Sequence, residues 1–169
     1  MHKKIFILFF INFSFIHNNS FAADKIAYMD MNFIINNSNI GQKVLKQLND
    51  INKNNIENLR TEQKKLKIEI DEINKIRNIG SDDDIKKKID IHNKNIKSYE
   101  NLKKKLAQDL NNERNEEMNK IVKLINPLLE DYMKNNSIDI ILRKDVVFFC
   151  KDKYDISKNI LELTNKTYK

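Results

Sequence analysis

Glycine and proline are almost missing from this chain. It contains two glycines, Gly41 and Gly80, and one proline, Pro127. These residues are the strongest local breakers of regular structure, so their positions divide the sequence. Two long segments with few strong turn signals lie between Gly41 and Pro127, and they meet at Gly80. Ser81-Asp82-Asp83-Asp84 follows Gly80. Glycine tolerates the left-handed conformation that ends many helices, which predicts a positive φ at Gly80. Ser81 can cap the next helix, with Asp84 near capping-box spacing, and the three carboxylates suit a partly positive helix N-terminus. The expectation is an antiparallel αα-hairpin with its tip at residues 80–84.

Hydrophobic spacing supports two helices. Leu45, Leu48, Leu59, Leu66, Ile70 and Ile73 recur in a stripe compatible with helical spacing in the first segment. Ile85, Ile89, Ile96, Tyr99, Leu102, Leu106 and Leu110 do so in the second. This is helical and near-heptad periodicity. Asn52, Asn55, Gln63, His92 and Lys103 fall at or beside the seam, so the stripe joins two helices but leaves little for a globular core. At 1.5 Å per residue each arm would be roughly 55–65 Å long and should project.

The chain ends have a different composition. Residues 42–127 hold 20 basic and 15 acidic side chains and a single aromatic, Tyr99. Outside them, beyond residue 22, the charges balance, and Tyr28, Phe33, Tyr132, Phe148, Phe149, Tyr154 and Tyr168 are found. Lysine, asparagine and isoleucine are abundant together, so an AT-rich genome is a competing account of the overall basicity. Lys25-Ile26-Ala27-Tyr28-Met29 reads as a strand, and Asp30 can cap a short helix. Residues 36–41 read as a polar link. Pro127 should kink or restart the helix it interrupts, because it lacks an N–H and crowds the preceding turn. Residues 138–142 and 146–150 read as a β-hairpin joined by Arg143-Lys144-Asp145. Asp155-Ile156-Ser157 opens a last helix.

The fold class expected is thus α+β and mostly helical. A long helical hairpin arm, residues 42–127, is inserted into a small β-rich oligomerisation head formed by residues 23–41 and 128–169. About three short strands cannot easily form a stable sheet alone. Tyr28, Ile141, Val147, Phe148 and Phe149 supply apolar groups that copies of the chain could cover, which points to a homo-oligomer of unspecified number.

The N-terminus carries a further expectation. Lys3 and Lys4 precede an apolar run over residues 5–16, and Ser20-Phe21-Ala22 offers a small-x-small cleavage site. This is the three-part pattern of a cleavable secretory signal peptide, residues 1–22, and it is short for a membrane-spanning anchor.

Taken in order, these pieces resemble the Skp/OmpH family of periplasmic chaperones. The resemblance rests on Ala-Asp-Lys-Ile-Ala at residues 23–27, Gly80-Ser81-Asp82, Asn115-Glu116-Glu117, Ser137-Ile138-Asp139-Ile140-Ile141 and Asp155-Ile156-Ser157. It implies a homotrimer with a small β-rich core and three helical arms around a cavity. It also implies an ATP-independent holdase that carries unfolded outer-membrane proteins through the periplasm, with no cofactor. The family's proposed lipopolysaccharide patch would fall on Lys103, Lys104, Lys105 and Arg114. The stretch Leu110-Asn111-Asn112-Glu113 lacks the basic pair expected there.

No pattern points to catalysis or a metal. Cys150 is the only cysteine, which excludes an intrachain disulfide, and it reads as a small buried residue at a strand end. His92 has no metal-spaced partners and reads as packing or surface. Asp82-Asp83-Asp84 lacks the spaced ligands and following glycine of a calcium loop. Lys86, Lys87, Lys88, Lys103, Lys104 and Lys105 are the candidates for a basic, client-facing arm surface. A structural coiled-coil spacer is one alternative, and it predicts a cleaner heptad without a β-rich head. Nucleic-acid binding by basic helices is the other, and a signal peptide argues against it.

Overall fold

The structure, a computed structural model, describes residues 25–169. The signal-peptide expectation for residues 1–22 lies outside them. Strand β1 (Ile26–Met29) leads to helix α1 (Met31–Asn37), then α2 (Asn39–Ile76), α3 (Asp82–Asn136), β2 (Ile140–Arg143) and α4 (Ser157–Thr167). Helices α2 and α3 form the hairpin. At 1.5 Å per residue α2 is ~57 Å long and α3 ~82 Å. The extra length of α3 is not in the arm. Its last turns run into the head, where they pack beside α4 and bring Ile121 and Ile125 into the core.

The tip forms where expected, but by other means. Ser81 Oγ accepts from Asp84 N–H at 3.3 Å and donates to the Asp84 carboxylate at 2.7 Å. Gly80, however, has no positive φ. Helix α2 unwinds through a right-handed turn in which the N–H groups of Ile79 and Gly80 both reach the Ile76 carbonyl. A Cβ at Gly80 would stand 3.1 Å from that oxygen. The glycine therefore provides room for the turn to close. Because the chain reverses here, a continuous rod-like spacer is ruled out.

Gly41 departs from expectation in a similar way. It is not a break before the arm but sits inside the first turn of α2. Ser38, fully buried, caps that turn, its Oγ accepting from Gly41 N–H at 3.2 Å. A Cβ on Gly41 would lie 1.8 Å from the Ile35 carbonyl oxygen. The end of α1 and the start of α2 meet at this point, and only glycine fits. The expected polar link is thus a helix corner, and the arm begins at Asn39.

Pro127 neither ends nor restarts α3, which is assigned as one helix through it. A proline inside a helix costs about 3 kcal/mol. Here Ile121 and Ile125 are buried before it, and Leu129, Tyr132 and Met133 pack on the core after it. Each buried isoleucine contributes about 1.5–3 kcal/mol, so packing on both sides outweighs the lost hydrogen bond. The helix ends instead at Ser137, left-handed at φ 50°, where Ile138 N–H reaches back to the Met133 carbonyl at 2.9 Å.

The expected β-hairpin is absent. β2 pairs in parallel with β1, Ile26 opposite Ile140 and Met29 opposite Arg143. Residues 144–146 form a 3-10 turn and residues 147–150 an irregular loop. Cys150 accordingly ends no strand and is only half-buried. A β-rich run needs a partner edge, and β2 spends its paired edge on a strand more than a hundred residues earlier. Residues 146–150 find no partner strand among the described residues.

The connected core cluster lies in the head and its junction with the arm. Ile34, Ile125 and Ile160 are 0% exposed, and Ala27, Met29, Ile35, Val44, Leu48, Ile121, Ile138 and Ile156 complete the cluster. Polar ties hold its layers. Asp30 caps α1, its carboxylate accepting from Phe33 N–H at 2.9 Å, while its own N–H donates to Ser157 Oγ of α4. Ile156 N–H donates to the Tyr28 carbonyl at 2.9 Å, which docks the start of α4 along the free side of β1.

Candidate functional site

The arm has a seam but no core. Along α2 the inward positions are Val44, Leu48, Ile51, Asn55, Leu59, Glu62, Leu66, Glu69, Ile73 and Ile76, in steps of three and four. Between Leu48 and Ile121, Ile73 is the one side chain classed as buried. Ile70 and Ile89, expected in the stripe, lie at its margin and are exposed. Glu69 and His92 occupy the seam near those points. His92 Nδ1 lies 3.0 Å from one Glu69 oxygen, and Asn95 Nδ2 donates to the other at 2.8 Å. A carboxylate only accepts, which places the imidazole proton on Nδ1. Lys88 and Glu72, 3.6 Å apart, bridge the helices one turn nearer the tip. The distal arm is thus held by polar contacts beside Ile73, its one buried seam residue.

The six candidate lysines are all exposed on α3. Lys86, Lys87 and Lys88 follow the tip, and Lys103, Lys104 and Lys105 lie midway along the arm. Neither triplet forms a single patch, because consecutive helical residues point about 100° apart. Arg114 falls on the helix face of Lys103, about 16 Å away, and not on that of Lys105. It lines a groove of 370 Å³ with Leu45, Leu48, Ala107 and Leu110. The proposed lipopolysaccharide residues are therefore spread around and along the helix.

The second surface is on the head. Of the expected oligomer-core residues, Tyr28 is buried within the chain, and Ile141 and Val147 are half-buried. Phe148 and Phe149 are 105% and 89% exposed, beside an exposed Val146. Ile140 and Leu142 are also exposed on β2. Exposed apolar side chains thus stand on β2 and again in the loop, on either side of Arg143-Lys144-Asp145.

The loop's anchor is Asp155. Its carboxylate accepts from Ser157 N–H at 2.9 Å and from Lys144 Nζ at 3.2 Å, as well as from Ser157 Oγ. Burial alone would raise this carboxyl. The hydrogen bonds from Ser157 and Lys144 outweigh it and hold the group below the ordinary carboxylate value. Among the described residues no cluster of side chains could hold a metal ion, and no helix is long and apolar enough to cross a membrane.

A helical hairpin rooted in a parallel two-stranded head suits the resemblance seen in the sequence, and direct comparison decides it. The family model described as Outer membrane protein (OmpH-like) matches residues 25–163. The chain belongs to the OmpH-like family. A solved OmpH-like structure from Caulobacter crescentus CB15, assigned as an outer membrane chaperone, superposes with a TM-score of 0.77. The match covers 86% of each chain at 11% identity, so it speaks for the fold alone. No curated protein matches the chain.

One feature of this OmpH-like arm escaped the sequence. A groove of 610 Å³ runs along one flank of the hairpin, lined by Arg60, Gln63, Lys64, Leu66, Lys67, Ile70, His92 and Ile96. The signal was present in the spacing. Gln63 and Ile70, like Arg60 and Lys67, are seven residues apart and so share a face. Helical spacing alone places Ile70 in the seam, one position from Glu69, and the structure puts it on the flank.

Proposed function

We propose that this OmpH-like protein is an ATP-independent holdase of the periplasm, exported by cleavage after residue 22. It would hold unfolded outer-membrane proteins between the arms of a homotrimer and keep them from aggregating. The observation that carries this reading is the arm itself, in a chain of this family. A hairpin nearly 60 Å long with a half-buried seam is almost all surface, and that surface is basic. Such an arm has no enclosed site for a compact ligand. It suits many weak contacts with an extended chain, where charge speeds encounter and multivalency slows escape. Lys86, Lys87, Lys88, Lys103, Lys104 and Lys105 would supply the encounter charge. Contact of Lys103, Lys104, Lys105 and Arg114 with lipopolysaccharide belongs to the same proposal, at the single-residue level their spread allows.

The head would supply assembly. Phe148 and Phe149 have almost no cover in the single chain, and burying each against a neighbouring copy is worth about 1.5–3 kcal/mol. β2 also offers an outer edge for pairing. Light scattering on the mature protein, alone and with an unfolded outer-membrane barrel, tests both halves. The expected masses are three copies, then three copies plus one client. Phe148→Asp with Phe149→Asp should give monomers with poor retention of the barrel. A trimer that survives this double change would reject the head placement. Failure of the unchanged protein to keep the barrel soluble would reject the holdase.

A further inference from the structure

We infer that the flank groove between Arg60 and Ile70 of α2 and His92 and Ile96 of α3 is a docking site for one short extended segment of a client, bearing acidic and apolar side chains in turn. This deepens the holdase reading and rests on it.

The groove's floor is apolar, built by Leu66, Ile70 and Ile96. Its rim is cationic, with Arg60, Lys64 and Lys67, and no acidic side chain lines it. Glu69, next to Ile70 in sequence, is taken up within the seam by His92 and Asn95. Lys64 and Lys67 make no ion pair among the described residues, and Arg60 has only a 4.0 Å contact with Glu57.

The opposite flank makes the contrast. Lys65 and Glu72, also seven residues apart, share that face. Lys65 pairs with Glu62 at 2.7 Å and Glu72 with Lys88 at 3.6 Å. One flank of the same hairpin has neutralised its charge internally, and the other leaves it for a partner.

Dimensions set the occupant. Arg60 to Ile70 spans about 15 Å of helix. An extended peptide rises about 3.3 Å per residue, so the groove accepts four or five residues. Alternation follows from the strand period: side chains of one parity reach the apolar floor, while those of the other lie toward the rim. Acidic residues at the second set would meet Lys64 and Lys67. Strands of an unfolded barrel that alternate in this way would present such segments repeatedly.

The test uses the full mature protein and a fluorescein-labelled peptide of alternating Leu and Glu, followed by anisotropy at low and physiological salt. Lys64→Gln with Lys67→Gln should weaken peptide binding about fivefold, the size expected for two exposed ion pairs. Ile70→Ser should weaken it by a similar factor without changing the salt dependence. Lys65→Gln with Lys120→Gln removes the same net charge from lysines already paired within the chain. That control should bind as the unchanged protein does. Equal weakening by both lysine pairs would overturn the site, because general attraction would then suffice. A groove variant that loses binding to anionic phosphatidylglycerol vesicles while keeping the peptide would overturn the choice of occupant. A photo-crosslinker at Gln63 should capture the peptide, and capture only at the opposite flank would also refute the site. Barrel aggregation is followed in parallel. If the unchanged protein suppresses it and the groove variants bind peptide normally, the groove fails while the holdase stands. If the barrel aggregates regardless, the holdase reading fails by its own measurement.

Discussion

The head and the arm of this protein use similar residue types for opposite ends. In the head, helices meet from several directions, and Ile34, Ile125 and Ile160 lose all contact with solvent. In the arm only two helices meet, so each seam residue is covered from one side. Leu59, Leu66, Leu102 and Leu106 stay half-buried despite regular spacing. Two antiparallel helices cannot enclose a core; they can only share an edge. The lesson is that stability concentrates where a third layer exists. The arm, freed from that role, can hold charge and grooves on its surface. Its polar seam contacts, centred on Glu69 and beside the buried Ile73, fix the register of the two helices. A single polar seam residue does the same in coiled coils.

Three measurements would break or sharpen this contrast. The largest effect is expected from matched truncations. Ile125→Ala should cost about 3 kcal/mol, for lost transfer and a residual cavity. Leu66→Ala should cost about 1 kcal/mol, because a half-buried side chain gives up less area and leaves an open dent. Urea unfolding of both variants checks this, and equal losses would erase the distinction between head and arm.

Next comes the seam. Glu69→Ala removes two hydrogen bonds and leaves His92 and Asn95 partly covered without a partner, a loss of about 1 kcal/mol. The effect should be local. Amide hydrogen exchange should quicken over residues 62–76 and 85–99 and stay unchanged in α1 and α4. Uniform acceleration through the head would show that the arm and head unfold as one unit.

The smallest effect belongs to the head's loop. Asp155 is held below its ordinary value, so its ionised form is favoured by folding. The stability it lends is present above about pH 4 and disappears as pH falls through the lowered native value. The group is partly exposed, its side chain 23% accessible, and solvent screening keeps the contribution below about 0.5 kcal/mol. Asp155→Asn should therefore lower the urea midpoint slightly at pH 7, with the gap closing toward pH 3. A gap that widened on acidification would contradict the assignment of Ser157 and Lys144 as its stabilising partners.

What could be read from the sequence was local or periodic. The scarcity of breakers, the Ser81 cap and the heptad-like stripes were enough for a helical hairpin with its tip near Gly80. Two antiparallel helices joined by a short turn need only neighbouring residues and a repeating face. The motif order was enough for the family, and the basic character of the arm is plain composition.

Tertiary structure decided the rest, because the deciding contacts join distant residues. The parallel pairing of Ile26 with Ile140 spans the whole arm, so local pattern favoured a hairpin over residues 138–150 that does not form. The same distance hid the reason for Gly41, which makes room for the Ile35 carbonyl and breaks no helix. Pro127 reads as an interruption until Ile121 and Ile125 are seen buried behind it. At the groove the error was a single helical position. A side-chain step of about 100° moved Ile70 from seam to flank and put Glu69 opposite His92. Spacing alone tolerates that shift in a loose heptad; the facing helix does not, because it fixes which side of each turn is covered.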